Sequence, residues 1–229
     1  MMSFMKNRMK LMVSASTKLL MGLGLVGLLI FWPAGTMDYY NGWLFMAVLF
    51  VPMLIAGVVL ALHSPELLKK RLNTKEKEAE QKSVVALSGI MFIAAFVVAG
   101  LNYRYAWIVM PSWAVWSAVA LFLLSYLVYA EVLRENAYLS RVIEVQEGQT
   151  LIDTGLYGVV RHPMYSATIL LFLSMPLVLG SLPSFVIMLV YIPLIAKRIK
   201  NEEKVLLQGL DGYSAYCKKV KYRIIPFVW

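Results

Sequence analysis

The chain has 229 residues, of which 60% are hydrophobic and 15% charged, with a formal net charge of +9. A soluble domain carries about 25% charged residues, so this composition excludes an ordinary water-soluble fold and marks an integral membrane protein. The excess Lys and Arg lie beside apolar runs, which suits the phosphate face of a bilayer and argues against nucleic-acid binding.

The N-terminal stretch carries Lys6, Arg8, Lys10 and Lys18, and residues 19–37 follow without a charge. No small-x-small cleavage site comes after them, so they are predicted to form an uncleaved first helix. Further charge-free runs occupy 39–62, 83–103 and 105–130. Each can cross about 30 Å of hydrocarbon at a helical rise of about 1.5 Å per residue. In lipid the backbone must satisfy itself, so the expected fold is all-α with four transmembrane helices. A fifth apolar stretch, Pro163 to Ala196, is interrupted by Gly180, Ser181 and Pro183, which predicts a short C-terminal helical hairpin.

Basic residues set the expected topology. Lys69, Lys70, Arg71, Lys75, Lys77 and Lys82 fill the connection after helix two, whereas the connections near Asp38 and Arg104 are nearly free of Lys and Arg. The positive-inside rule then places both termini, and the polar segments after helix four, in the cytoplasm beside an inner or plasma membrane. Residues 66–82 read as an interfacial loop with a short helix. The whole of 1–229 reads as one membrane-embedded domain, with a four-helix part over 19–133 and a C-terminal part over 150–229.

Residues 131–162 make the longest polar connection, with a Glu-Gly turn, a short β-like stretch and an Asp-Thr-Gly turn. Neither a GxxxxGK[ST] loop nor a GxGxxG fingerprint occurs, which leaves a soluble Rossmann-type cofactor domain without support. Cys217 is the single cysteine, so an intrachain disulfide and a multi-cysteine metal site are excluded, and no metal is expected.

Two polar clusters stand out. In GLYGVVRHPMYSATIL, Arg161, His162 and Tyr165 surround a proline at the threshold of the apolar hairpin. Pro163 fits the first helical turn and biases His162 toward an extended backbone, so a helix should begin immediately after the cluster. Its open amides, Arg161, His162 and Tyr165 could bind an anionic group, or the cluster could simply anchor a helix entry at the interface. In KRIKNEEKVLLQGLDGYSAYCKKVKYRIIPFVW, Glu202 and Glu203 stand one turn beyond Lys197, Arg198 and Lys200. A salt-bridged interfacial helix and a ligand site both fit that spacing. Glu131, Arg134 and Glu135 share a face that either lines a pocket or marks the end of helix four.

Together these two segments resemble the isoprenylcysteine carboxyl methyltransferase and phospholipid N-methyltransferase superfamily, whose pattern is Arg-His-Pro-x-Tyr-x-Gly followed by a Glu-Glu pair and an aromatic tail. The resemblance covers 150–229 and implies a membrane enzyme using S-adenosyl-L-methionine. It assigns Arg161, His162, Pro163 and Tyr165 to the cofactor motif and gives Gly155 and Tyr157 the shaping of the preceding loop. Glu202 would contact the cofactor, Tyr213 and Tyr216 would close the site, and Arg198 and Glu203 would act on the substrate. Ala167 departs from the pattern by replacing its final glycine, an exchange that adds one methyl to a helix. The implied reaction is methyl transfer to a lipophilic acceptor, an isoprenylcysteine-like carboxylate or a phospholipid amine. The alternatives are a membrane reductase using a nicotinamide cofactor (NADPH) and a non-catalytic scaffold or transporter. A homodimer is compatible with so small a bundle.

Overall fold

The structure is a computed structural model and describes residues 2–73, 79–140 and 142–229. Lys75 and Lys77, part of the expected interfacial loop, lie outside the described residues. The described residues form nine α-helices and one 3-10 turn, with no strand among them. The order is α1 (Met2–Ala34), α2 (Tyr40–His63), α3 (Pro65–Leu72), α4 (Ala79–Tyr105) and α5 (Ser112–Glu135), then the 3-10 turn Gly155–Gly158, α6 (Pro163–Val178), α7 (Leu182–Met188), α8 (Tyr191–Gly209) and α9 (Tyr213–Lys219).

The protein is an integral membrane all-α protein. Five stretches have the length and apolar character to cross a bilayer: Leu11–Ala34, Tyr40–His63, Gln81–Tyr105, Ser112–Glu135 and Leu182–Gly209. The first four follow the expected spans. The expected hairpin is also present, as α6 descending, a turn through Leu179–Ser181, and α7 with α8 returning. Gly180 permits that turn because its φ is +71°, a region costly for residues with a Cβ, and a Cβ there would fall 2.6 Å from Asn41 Nδ2. Ser181 caps α7 by accepting from the Ser184 amide at 3.3 Å.

Apolar residues from five helices form the core between α1, α2, α4, α5 and α6, with Ile30, Phe45, Ala99, Phe122 and Val178 fully enclosed. Tyr39 locks the hairpin turn to this core by donating its hydroxyl to the Leu179 carbonyl. At the other end of the bundle, α3 caps the groove between helices. Its Lys70 donates to the Ala137 carbonyl at 3.1 Å, and its Arg71 donates to the Tyr129 hydroxyl. The predicted short interfacial helix is therefore α3, starting at Pro65 directly after the end of α2 at His63.

The connection from α5 to α6 differs from expectation in one respect. Its Glu-Gly turn forms, with Gly148 at φ +68° and the Gln149 amide bonded to the Gln146 carbonyl at 3.0 Å. The expected β-like stretch forms no strand among the described residues, because no ladder of amides and carbonyls joins it to a neighbouring segment.

Candidate functional site

Arg161, His162, Tyr165, Arg198, Glu202, Glu203, Tyr213 and Tyr216 converge at the α3 end of the bundle, where the start of α6, the second half of α8, and α9 meet. Helix α6 begins at Pro163 with His162 as its N-cap, as the proline dictates. The final segment straps across this entrance. The amides of Arg161 and His162 donate to the carbonyls of Tyr222 and Arg223 at 2.9 and 2.8 Å.

Under the strap lies a closed ionic hub. Glu203 is on the buried face of α8, where Tyr191, Ile195, Ile199 and Glu203 follow one another a turn apart. Its Oε1 accepts from Arg161 Nε at 2.8 Å and lies 3.3 Å from His162 Nε2. Its Oε2 accepts from Arg223 Nε at 2.8 Å. Arg161 also donates Nη1 to the carbonyls of Val220 and Lys221, at 2.7 and 2.8 Å. Burial works against the charge on Arg161, but the hydrogen bond and charge of Glu203 outweigh it and hold the guanidinium protonated. Arg223, which the sequence did not single out, stacks over the Trp229 ring at 5.2 Å.

One residue earlier on α8, Glu202 faces elsewhere. Its side chain is 24% exposed against 9% for Glu203. It accepts from the Tyr165 hydroxyl at 2.5 Å, and its other oxygen stands 4.0 Å from His162 Nδ1. The same Tyr165 hydroxyl accepts from Arg198 Nε at 3.0 Å, and Arg198 Nη1 donates to the buried Gln81 at 3.3 Å.

Two cavities meet at this point. The first, the polar cavity, lies under the 136–152 connection and mixes polar and apolar walls in near-equal share, its polar groups coming from Tyr157, Arg161, His162, Tyr165, Glu202, Tyr213 and Tyr216 among others. Gly155, Pro163, Arg198 and Glu203 do not line it. Burial pushes the Tyr157 hydroxyl up to about 12 and raises those of Tyr213 and Tyr216 as well, so these walls are neutral donors at physiological pH. The second cavity is an apolar groove of about 400 Å³ between α4, α6 and α8. Arg198 belongs to this groove. Tyr165, Met164, Ser140 and Val142 line both cavities, and among them only Tyr165 has a hydroxyl hydrogen-bonded to a carboxylate.

Gly155 acts one layer out. Its φ is +52°, and a Cβ there would lie 1.4 Å from Glu135 Oε1. Glu135 accepts from the Leu156 amide at 3.1 Å, and its neighbour Asn136 donates to the Tyr157 hydroxyl at 2.8 Å. Tyr216 holds the same loop from the other side by donating to the Tyr157 carbonyl at 2.7 Å. The end of α5 thus positions the loop that leads into the site. Its Glu131 and Arg134 pair with each other at the surface. No group of His, Cys, Asp and Glu suited to a metal ion occurs among the described residues.

Residues 131–229 match the ERG4/ERG24 family of ergosterol biosynthesis. Three curated relatives agree in kind. The chain is 32% identical over 90 residues to the Delta(14)-sterol reductase TM7SF2 of Mus musculus, covering 38% of this chain and 22% of that protein. It is 28% identical over 92 residues to the Delta(14)-sterol reductase erg24 of Schizosaccharomyces pombe, 39% of this chain and 22% of the relative. It is 25% identical over 135 residues to the Delta(14)-sterol reductase of Methylotuvimicrobium alcaliphilum, 52% of this chain and 32% of the relative. The chain spans between about a fifth and a third of the length of these relatives.

These matches overturn the methyltransferase resemblance. S-adenosyl-L-methionine as cofactor, methyl transfer as reaction, and the carboxylate or amine acceptors fall with it. The structure supplies a physical reason for the misreading. The Arg-His-Pro motif and the second glutamate, which carried the resemblance, are occupied in the hub that joins α6, α8 and the final strap. They mark a way of closing this helical scaffold, and a scaffold can serve more than one cofactor.

Proposed function

We propose that this chain reduces a carbon–carbon double bond in a lipophilic, sterol-like molecule, with NADPH as the hydride source. The observation that carries the reading is Tyr165, whose hydroxyl sits in the wall common to the polar cavity and the apolar groove, held between Arg198 and Glu202. The relatives are reductases of sterols by name, which agrees with an apolar groove opening beside a polar cavity.

The polar cavity suits the ring-and-sugar half of a nicotinamide cofactor. Tyr157, Tyr213 and Tyr216 offer aromatic faces, Tyr157 and Tyr213 offer neutral donors, and Glu202 can accept from a carboxamide or a ribose hydroxyl. When bound, the cofactor supplies hydride. The chain's own residues then do the rest. The groove orients the substrate with its double bond against Tyr165 and excludes water. The Tyr165 hydroxyl gives its proton to one alkene carbon while hydride goes to the other, so two electrons and two hydrogens are added and one bond order is lost. Arg198 Nε, 3.0 Å from that oxygen, stabilises the phenolate that remains. Glu202 hands a proton back from the solvent side, where its partial exposure gives it access. In this scheme Glu202 and Tyr165 are catalytic, Arg198 supports them, and Glu203 is a positioning residue together with Arg161, Pro163 and Gly155.

The cofactor-binding unit would be 150–229, with the end of α5 as its brace. The distribution of Lys and Arg favours placing both ends of the chain, and the polar cavity, on the cytoplasmic side. The test is to purify the chain in detergent and measure NADPH binding, then NADPH oxidation with a Δ14 sterol. Saturable binding and sterol-dependent oxidation, lost in Tyr165→Phe, are expected. A well-folded protein that binds no nicotinamide nucleotide would sink the reading.

A further inference from the structure

Three helical stripes face the apolar groove. They are Val85, Ser88, Gly89 and Phe92 on α4, then Tyr165, Thr168 and Phe172 on α6, and Tyr191, Ile195 and Arg198 on α8. Each spans seven residue steps, so the walled length is roughly 10 Å at the helical rise. The polar end is at Tyr165 and Arg198, and the aromatic end at Phe92, Phe172 and Tyr191. That end is rigid. Phe172 packs edge-on against both Phe92 and Tyr191, with centroids 4.9 Å apart in each pair, and the Tyr191 hydroxyl donates to Thr168 Oγ1 at 3.0 Å.

Gly89 breaks the stripe on α4. A glycine inside a helix costs about 1 kcal/mol relative to alanine, and the usual reason to keep one is the close approach of a neighbour. Gly100 on the same helix has that reason, since a Cβ there would come within 2.4 Å of the Ile30 carbonyl. Gly89 has none, because a Cβ there would meet nothing within 4 Å. Gly24 and Gly57 are as open, but neither lines either cavity. What Gly89 leaves bare is therefore a strip of helix backbone facing the groove.

We propose that Gly89 is the specificity-determining position of the groove, where the flat face of a rigid polycyclic substrate lies directly on the α4 backbone. The inference rests on the reductase reading for its substrate class and deepens it. A side-chain-free strip opposite a locked aromatic wall makes a flat slot, and a flat slot rewards a rigid ring system over a flexible chain, which must give up rotational freedom to fill it. The volume, about 400 Å³, falls within the range of small-molecule sites. The neighbouring Ser88 turns its hydroxyl back onto the Val84 carbonyl at 2.8 Å, which keeps the strip apolar.

The experiment compares Gly89→Ala, Gly89→Leu and the control Gly57→Leu with the wild type, in lipid nanodiscs. The readouts are thermal stability, NADPH binding, and direct binding of two tritiated probes, a tetracyclic Δ14 sterol and the linear isoprenoid alcohol geranylgeraniol. Gly89→Leu is expected to weaken sterol binding at least about tenfold, the scale by which one misfitting group discriminates in an apolar pocket. Binding of the linear alcohol should change far less. Gly89→Ala should show the same direction more weakly, with a melting temperature equal to or above that of the wild type, and it keeps the test valid if the leucine variant fails to fold. NADPH binding should be unchanged throughout, and Gly57→Leu should match the wild type. Sterol affinity unaltered in both Gly89 variants, equal losses for the two probes, or a wild type that prefers the linear alcohol would each overturn the proposal. Sterol binding that depends on Gly89 without any NADPH oxidation would keep the slot and remove the reductase reading.

Discussion

Around Glu203, three side chains from the segment just before α6 and from the final strap take up both oxygens of a buried carboxylate. Around Glu202, the next residue on the same helix, one oxygen holds the Tyr165 hydroxyl and the side chain borders an open cavity. The first region is closed and the second is poised. A carboxylate saturated by its own protein has little left to offer a ligand, whereas a half-committed one beside a cavity can accept, donate after protonation, and exchange with solvent.

The sharpest way to break that comparison is to remove the closed hub. Glu203→Ala would strand Arg161 and leave Arg223 and His162 without their carboxylate, and breaking such a buried pair costs on the order of 3–5 kcal/mol. Thermal unfolding should show a large loss of stability, with cofactor binding lost only because the site comes apart. If Glu203→Ala instead melts like the wild type and loses turnover alone, the two glutamates have their roles reversed.

The complementary change is Glu202→Gln, or Tyr165→Phe, in the poised region. Either should lower turnover by roughly 10²–10⁴, the usual contribution of a positioned proton donor, while stability shifts by no more than about 1.5–3 kcal/mol, the worth of a hydrogen bond to a charged group. Intermediate in size is Gly155→Ala. It forces a Cβ into a left-handed backbone and onto Glu135, so a loss of roughly 1–3 kcal/mol is expected. Glu135→Ala in the same chain should recover the part due to overlap and not the part due to φ, which differential melting of the single and double variants would read.

A smaller effect concerns pH. Burial raises the folded Tyr157 hydroxyl from 10.0 to about 12. A group whose folded value lies above its unfolded one contributes stability that is fully present below the unfolded value and lost as pH rises through the folded one. The melting temperature should therefore be insensitive to Tyr157 below about pH 10 and decline from there toward pH 12, with a shallower decline in Tyr157→Phe. Smallest of all is Lys219→Ala. Its partner Asp153 is at the surface, and the pair, 2.8 Å apart, should leave the melting curve unchanged.

Much of this could be read in advance, for identifiable reasons. The membrane helices are written in long charge-free runs, the hairpin turn in Gly180 and Pro183, and the start of α6 in Pro163, because each of those is a local restriction on backbone or solvation. The separation of the two glutamates was also within reach. Tyr191, Ile195, Ile199 and Glu203 recur every four residues, so Glu203 continues the inward stripe of α8. Arg223 and Glu135 carried no such signal. Arg223 sits in an irregular strap, and Glu135 ends the membrane-spanning α5, where its spacing gave a shared helical face but not the long-range bond of its carboxylate to the Leu156 amide beside Gly155.

The sequence by itself determined the solvent of this protein, its first four apolar spans, the hairpin that follows them, and the end of the bundle where its polar residues gather, since hydropathy and proline act on each segment alone. Only the tertiary structure decided which of those polar residues hold the fold and which face a cavity. That division depends on where the final strap crosses the entrance of α6, a long-range contact that no local pattern encodes. It also explains how the same motif came to resemble the wrong family: Arg161, His162 and Glu203 form a closed junction, and the pair proposed to carry the chemistry, Tyr165 and Glu202, stands beside it.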